Sequence, residues 1–454
     1  MISSVSPTDG RVVAEYEETS PADVQRHIDT AVALQRQWEG VSLTDRSVPM
    51  RRLADLLEAN REELAILMAD EMGKPVAQGL GEVDKCAWVC RHYADNAERI
   101  LASIDIEADR TKSYVAYRPL GVVLAVMPWN FPLWQVFRFL APALMAGNGG
   151  LLKHASNVMG CAVWVDRLCV EAGFPDGLFR SLVLPSGRVD EVLEHPGVVA
   201  ATLTGSDPAG RAVASKAGSL LKKTVLELGG SDPYVVLADA DLEKAAETCS
   251  TSRLINGGQS CIAAKRFIVE RPVLEEFSQL LTAGLSEAVM GDPRDPATTL
   301  GPMARMDLRD DLHDQVQRSV DAGATLALGG VVPEGPGAFY PPTVLTGVTE
   351  GMAVYHEETF GPVAAVIAAD DVDDAVRIAN DTEFGLGAAI FTSDLELGEE
   401  VARDRLQAGA CFVNAFVASD PRLPFGGIKM SGYGRELSDL GMREFLNAKT
   451  VVVA

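Results

Sequence analysis

Between Val122 and Leu228, short apolar runs alternate with helical stretches, and this rhythm restricts the fold more than any other feature. Val122–Val126, Leu151–Lys153, Arg180–Leu184, Val199–Leu203 and Thr224–Leu228 read as strands, with Val158–Ala172 and Ala209–Ala217 as helices between them. Parallel strands need a crossover, and a helix that covers the sheet is the usual one. An α/β parallel sheet follows. Gly229-Gly230-Ser231-Asp232-Pro233 interrupts the pattern, and a second alternating region follows it. Its strands are expected at Tyr234–Leu237, Phe267–Val269, Ala364–Ile367, Ala388–Phe391 and Cys411–Val413. Upstream, Pro21–Trp38, Leu43–Met72 and Glu82–Ile104 carry helical periodicity, with Ser20 as N-cap and Pro21 at the first helical position. The β-branched end, Thr450–Val453, reads as a strand that pairs with something, a second subunit included.

The chain has 454 residues, enough for two or three domains, and an apolar fraction of 47% suits a globular protein. Lys+Arg is 40 against Asp+Glu 64, a formal charge of -24. So acidic a surface repels nucleic acid and anionic membrane, and an anionic cofactor must meet local cations or backbone N–H groups. No signal peptide is read in Met1–Gly10, and no apolar run reaches spanning length. Seven cysteines without framework spacing argue against a disulfide scaffold, so a cytoplasmic location is expected.

Cys261 closes the run Gly257-Gly258-Gln259-Ser260-Cys261, and Glu227-Leu228-Gly229-Gly230 lies upstream. Glycines let backbone approach a ligand, so the thiol reads as reachable and the carboxylate as free to swing toward it. Thiol plus carboxylate suggests a thioester that forms and is cleaved by water. No histidine lies near either segment to support a cysteine–histidine pair. Thr204-Gly205-Ser206 opens a helix after a strand, where a phosphate could sit, although a plain strand-to-helix turn explains it too. The G-x-G-x-x-G fingerprint is absent. Lys153 ends a strand at the sheet's carboxyl edge and could hold ribose or phosphate oxygens. Asn130, polar between Trp129 and Phe131, must hydrogen-bond something, and an oxyanion is one candidate. His154 reads as a packing or capping residue, Cys86 and Cys90 as buried thiols, and no metal-ligand set stands out.

Taken in order, Pro128-Trp129-Asn130-Phe131-Pro132, Lys153, Thr204-Gly205-Ser206, Glu227-Leu228-Gly229-Gly230, Gly258-Gln259-Ser260-Cys261, Glu358-Thr359-Phe360-Gly361-Pro362 and Pro424-Phe425-Gly426-Gly427 closely resemble the aldehyde dehydrogenase superfamily. Among its branches the chain is most similar to the succinate-semialdehyde dehydrogenases, with Gly230-Ser231-Asp232-Pro233 as one sign. The resemblance implies a Rossmann-like cofactor domain (1–104 and 120–229), an α/β catalytic domain (230–430) and a small β oligomerisation element (105–119 and 440–454). It implies a homodimer or homotetramer. By the same resemblance Cys261 attacks the aldehyde, Asn130 and the Cys261 N–H hold the oxyanion, and Glu227 activates water. Glu436 matches a glutamate credited with proton relay. Trp129, Lys153, Ser156, Gly205, Ser206, Glu358 and Phe360 would contact the cofactor.

Relatives that prefer NAD carry a glutamate where this chain has Ser156. A carboxylate there would repel a 2′-phosphate, so NADP is expected, with NAD as the alternative. Arg138 and Ser419 match residues that hold a substrate's distal carboxylate; a surface or inter-subunit ion pair is the other role open to Arg138. Ile255 replaces a second arginine seen in some relatives, which points to a broader aldehyde range. Ala263 replaces a cysteine that locks the nucleophile in others. The competing readings are a general aliphatic aldehyde dehydrogenase and a family member without chemistry.

Overall fold

The computed structural model describes residues 1–454. A six-stranded sheet runs in the order Gly432–Tyr433, Lys223–Glu227, Val198–Thr204, Val122–Met127, Gly149–His154, Phe179–Ser181, parallel throughout except at Gly432–Tyr433. Successive side chains leave a strand on opposite faces. Val122 and Leu124 accordingly join one core, with Val24 and Ile28 of helix Pro21–Trp38. Val123, Ala125 and Met127 join another, with helices Leu43–Ala59, Val76–Leu101, Trp134–Ala146 and Met159–Ala172. The sheet is thus apolar on both faces, as a parallel sheet between helices must be.

A seven-stranded sheet begins at Pro233, directly after the glycine interruption. Its order is Thr325–Leu328, Thr343–Thr346, Val363–Ala369, Arg266–Glu270, Pro233–Val236, Gly387–Phe391, Ala410–Val413, with only the first strand antiparallel. A three-stranded sheet pairs Leu446–Val453 with Lys112–Pro119 and Ile104–Asp105, antiparallel throughout. Its terminal strand is mostly exposed and pairs on one side only. No helix is long and apolar enough to cross a membrane.

The structure differs from the sequence expectation where local pattern is thin. The N-terminus opens with a hairpin, Ile2–Val5 with Val12–Tyr16, before the helices begin. The helical stretch Leu43–Met72 divides at Asn60, whose Nδ2 donates to the Leu56 carbonyl at 2.7 Å. A side chain that bonds nearby backbone competes with the helix ladder and ends it. Trp129 and Asn130 follow strand Val122–Met127, and Lys153 and His154 end Gly149–His154. Thr204 ends Val198–Thr204 and Glu227 ends Lys223–Glu227. All lie at the carboxyl edge of one parallel sheet, where such folds bind ligands.

Candidate active site

Helix Leu242–Leu254 delivers the nucleophile loop. After it the backbone turns left-handed at three successive residues, Asn256 (φ 55°), Gly257 (φ 62°) and Gly258 (φ 74°), and all three are buried. A Cβ on Gly258 would collide with the Gly361 carbonyl. One on Gly229 would collide with the Glu358 carboxylate, and one on Gly230 would lie 2.9 Å from the Cys261 carbonyl oxygen. These glycines let three loops close on one another.

Charged side chains fasten that closure. Arg253, fully buried, donates to Gly258 O at 2.6 Å and to Val363 O at 3.3 Å. Lys265 Nζ donates to Cys261 O at 2.7 Å and to Ser260 O at 3.1 Å, and stands 3.5 Å from Glu358 Oε1. Glu358 Oε1 in turn accepts from Gly230 N at 3.0 Å. The Cys261 N–H donates to no protein acceptor. Burial pushes the Cys261 thiol up to about 12, against the pull of Arg138 and Lys265. At rest it is a neutral thiol.

Asn130 is tied to the same loop: its Nδ2 donates to Gln259 O at 3.1 Å, and Asn256 Nδ2 donates to Asn130 O at 2.7 Å. One Nδ2 hydrogen remains without a partner, as does the Cys261 N–H two residues past Gln259. His154 holds the loop that follows Asn130. Its Nδ1 accepts from Ala155 N at 2.9 Å, so the proton is assigned to Nε2, which donates to Pro132 O at 2.8 Å. Burial takes this imidazole down to about 4, so it stays neutral.

Glu227 is buried and its carboxylate accepts no hydrogen bond. Burial and the neighbouring Glu436 hold it well above the usual carboxylate range, partly offset by Arg138. Arg138 Nε stands 2.7 Å from Glu436 Oε2, an ion pair whose angle falls short of a hydrogen bond. Its Nη2 donates to Thr204 Oγ1 at 3.4 Å, and its guanidinium lies 4.6 Å from the centre of the Phe425 ring. Backbone bonds at 2.8 Å in both directions join Phe425 and Glu436. Glu436 thus has the counter-ion and Glu227 does not. Burial raises Glu436 too, with Arg138 pulling it back, so Glu227 is the carboxyl held further above its ordinary range.

Cys261 opens on a cavity of 260 Å³ that Arg138 and Ser419 also line, with Phe131, Trp134, Phe416 and Phe425 as aromatic walls. Ile255 is on the wall too. Glu227 and Asn130 are not. Sequence reasoning missed the opposite wall, where helix Val76–Leu101 presents Gln78, Glu82 and Lys85. Their spacing of four and three puts all three on one helical face, and polar residues in that pattern on a buried helix were the available signal. Lys265 and Arg253, which fix the loop, had no signal in the sequence. A wider groove of 930 Å³, between helix Leu274–Ser286 and strand Thr343–Thr346, holds none of these groups.

The cofactor candidates lie elsewhere along the sheet edge. Lys153 is 7% exposed and has no carboxylate within ion-pair distance; burial alone lowers its ammonium. A desolvated cation without an anion suits a phosphate or ribose ligand. Ser206 caps helix Asp207–Ser219 without using its side chain. Gly205 N, however, already donates to Glu227 O at 3.0 Å, and Asp207 in the first turn pairs with Arg211 at 2.8 Å. Ser156 is exposed. Trp129 and Phe360 meet edge to face with centroids 5.7 Å apart. A free cation, an uncommitted hydroxyl and no carboxylate at position 156 fit a nicotinamide dinucleotide that carries a 2′-phosphate.

A cavity-lining cysteine, a buried carboxylate without a hydrogen bond and an unpaired lysine at the sheet edge define the site on this pair of sheets, and the sequence model of the aldehyde dehydrogenase family matches residues 1–451. The chain belongs to that family. A probable NADP(+)-dependent succinate-semialdehyde dehydrogenase of Synechocystis sp. is 48% identical over 453 residues, 100% of each chain. The NADP(+)-dependent succinate-semialdehyde dehydrogenase of Mycobacterium avium is 48% identical over 99% of this chain and 96% of its own. A solved succinic semialdehyde dehydrogenase of Streptococcus pyogenes in complex with NADP+ superposes with TM-score 0.98 at 37% identity, covering 100% of both chains.

The closed packing at the nucleophile predicts that Gly258→Ala destabilises the protein by at least about 2 kcal/mol, from the left-handed φ and the clash together. Thermal unfolding measures this. An unchanged midpoint with normal activity would show that the loop has room.

Proposed function

We propose that this chain oxidises succinate semialdehyde to succinate with NADP. The observation that carries the reading is that Cys261 shares one small cavity with Lys85, Arg138 and Ser419. Positive charge and a hydroxyl opposite a thiol suit an aldehyde with a distal carboxylate. The names of the relatives agree with that chemistry.

In this reading the Cys261 sulfur bonds the aldehyde carbon, and the thiol proton leaves toward Glu227. Charge gathers on the carbonyl oxygen, which the Cys261 N–H and the remaining Asn130 Nδ2 hydrogen receive. A nicotinamide held here would accept the hydride lost from the former aldehyde carbon, leaving a thioester on Cys261. Lys153 and Ser156 would hold its 2′-phosphate end, and Trp129, Ser206, Gly205, Glu358 and Phe360 its length. Once Glu227 has passed the thiol proton to solvent, its carboxylate takes a proton from water, whose oxygen attacks the thioester carbon; the acid forms and Cys261 leaves as thiolate. Because burial holds Glu227 high, the ionised base grows as pH rises. Glu436 keeps Arg138 in place.

Seven unpaired cysteines suit a reducing compartment such as the cytoplasm. The exposed, one-sided strand Leu446–Val453 suits assembly into a dimer or tetramer through the small sheet. Removing residues 446–454 should then yield monomers in light scattering; an unchanged mass would rule that sheet out as the contact.

A kinetic panel tests the function. Succinate semialdehyde with NADP should give the highest kcat/KM among semialdehydes and neutral aldehydes with either cofactor. Ser156→Glu should move the NAD-to-NADP ratio toward NAD by roughly 10-fold or more, the scale of one charge-assisted contact. Wild-type preference for NAD would sink the cofactor assignment.

A further inference from the structure

The cavity wall carries more charge than the substrate needs, and the hydrogen-bond partners sort it. Glu82 is spoken for: its Oε1 accepts from Leu133 N and Trp134 N at 2.9 Å each, and its Oε2 from Lys74. Arg138 is only 2% exposed and is held by Glu436, Thr204 and the Phe425 ring. Lys85 differs. Its Nζ donates to Ser419 Oγ at 2.8 Å and lies 4.6 Å from the centre of the Trp134 ring, and no carboxylate pairs with it. The adjacent Asp420 is turned to Arg422, at 2.6 Å.

Ser419 completes the geometry. Its Oγ accepts from Lys85 Nζ and also from Trp134 Nε1 at 3.2 Å. With both lone pairs engaged, the hydroxyl hydrogen is left to donate. Two donors therefore converge among the aromatic walls, where low polarity strengthens any pairing with an anion.

We infer that Lys85, together with the Ser419 hydroxyl, is a further anchor for the substrate's distal carboxylate beside Arg138, whose Nε serves as counter-ion of Glu436. This inference rests on the semialdehyde reading and names the residue that enforces it. Arg138, the anchor expected from the sequence, lines the same cavity, and no hydrogen bond engages its Nη1.

Charge on Lys85 has a pH signature. Burial, with Arg138 of like sign, brings its ammonium down to about 8, against Cys86, Asp420 and Glu82. The cation is present below that pH and is lost as pH rises through it. KM for succinate semialdehyde should accordingly climb above about pH 8. Cys261 and Glu227 act on every aldehyde alike, so the ratio to a neutral aldehyde of equal length isolates Lys85.

Lys85→Met should lower the kcat/KM ratio of succinate semialdehyde over butanal by roughly 10- to 100-fold, mostly through KM. Lys85→Arg should restore much of that ratio and remove its alkaline decline. If Lys85→Met folds poorly, the pH dependence of the wild-type ratio decides alone. A ratio unchanged in Lys85→Met, or flat with pH in wild type, overturns the anchor and leaves the semialdehyde reading standing. Wild-type enzyme without preference for succinate semialdehyde over butanal overturns both.

Discussion

The Arg138 guanidinium is the one cation whose field reaches Glu227, Glu436 and Cys261 together. Buried at 2% exposure, it offsets two carboxylates that would otherwise stand unpaired in the same apolar space. Removing one member of such a buried pair typically costs about 3–5 kcal/mol, because the other charge is left without compensation. Glu436 takes the direct contact and Glu227 only the longer-range attraction, so Glu227 remains the group that readily accepts a proton. The neutral thiol of Cys261 and the raised carboxyl of Glu227 are two consequences of the same desolvated site.

A frame of glycine contacts surrounds that charge arrangement. Gly258 against Gly361 joins two loops of the second sheet, and Gly230 against Cys261 brings them onto the edge of the first. Arg253 and Lys265, both fully buried, bond the carbonyls that this closure leaves without partners. Removing either would strand several buried acceptors at once. Cys261 is thus positioned by backbone packing, with its N–H left without a protein acceptor.

Legibility in the sequence followed periodicity. Every strand of the first sheet's parallel core was readable from short apolar runs, and the helix Pro21–Trp38 was readable to the residue from Ser20-Pro21. The hairpin at Ile2–Val5 and the strands Thr325–Leu328 and Thr343–Thr346 were not, because short strands carry little hydrophobic alternation, and Lys112–Pro119 followed only from the family resemblance. Cys261, Glu227 and Asn130 stood out as residue types in unusual settings. Lys85 did not, since a lysine on a helix is ordinarily solvated and only its neighbours reveal that this one is half-buried and without an acid. Which arginine face meets substrate and which meets Glu436 depends on side chains that are hundreds of residues apart in sequence. No local pattern records it.

The central claim is the division of labour: Cys261 captures the aldehyde and Glu227 releases the acid. Rapid mixing of Glu227→Gln enzyme with NADP and succinate semialdehyde tests it most directly. The account predicts a burst of about one NADPH per Cys261, followed by steady turnover lowered by roughly 100-fold or more, the scale of general-base catalysis. Steady turnover at the wild-type rate without a burst would contradict it.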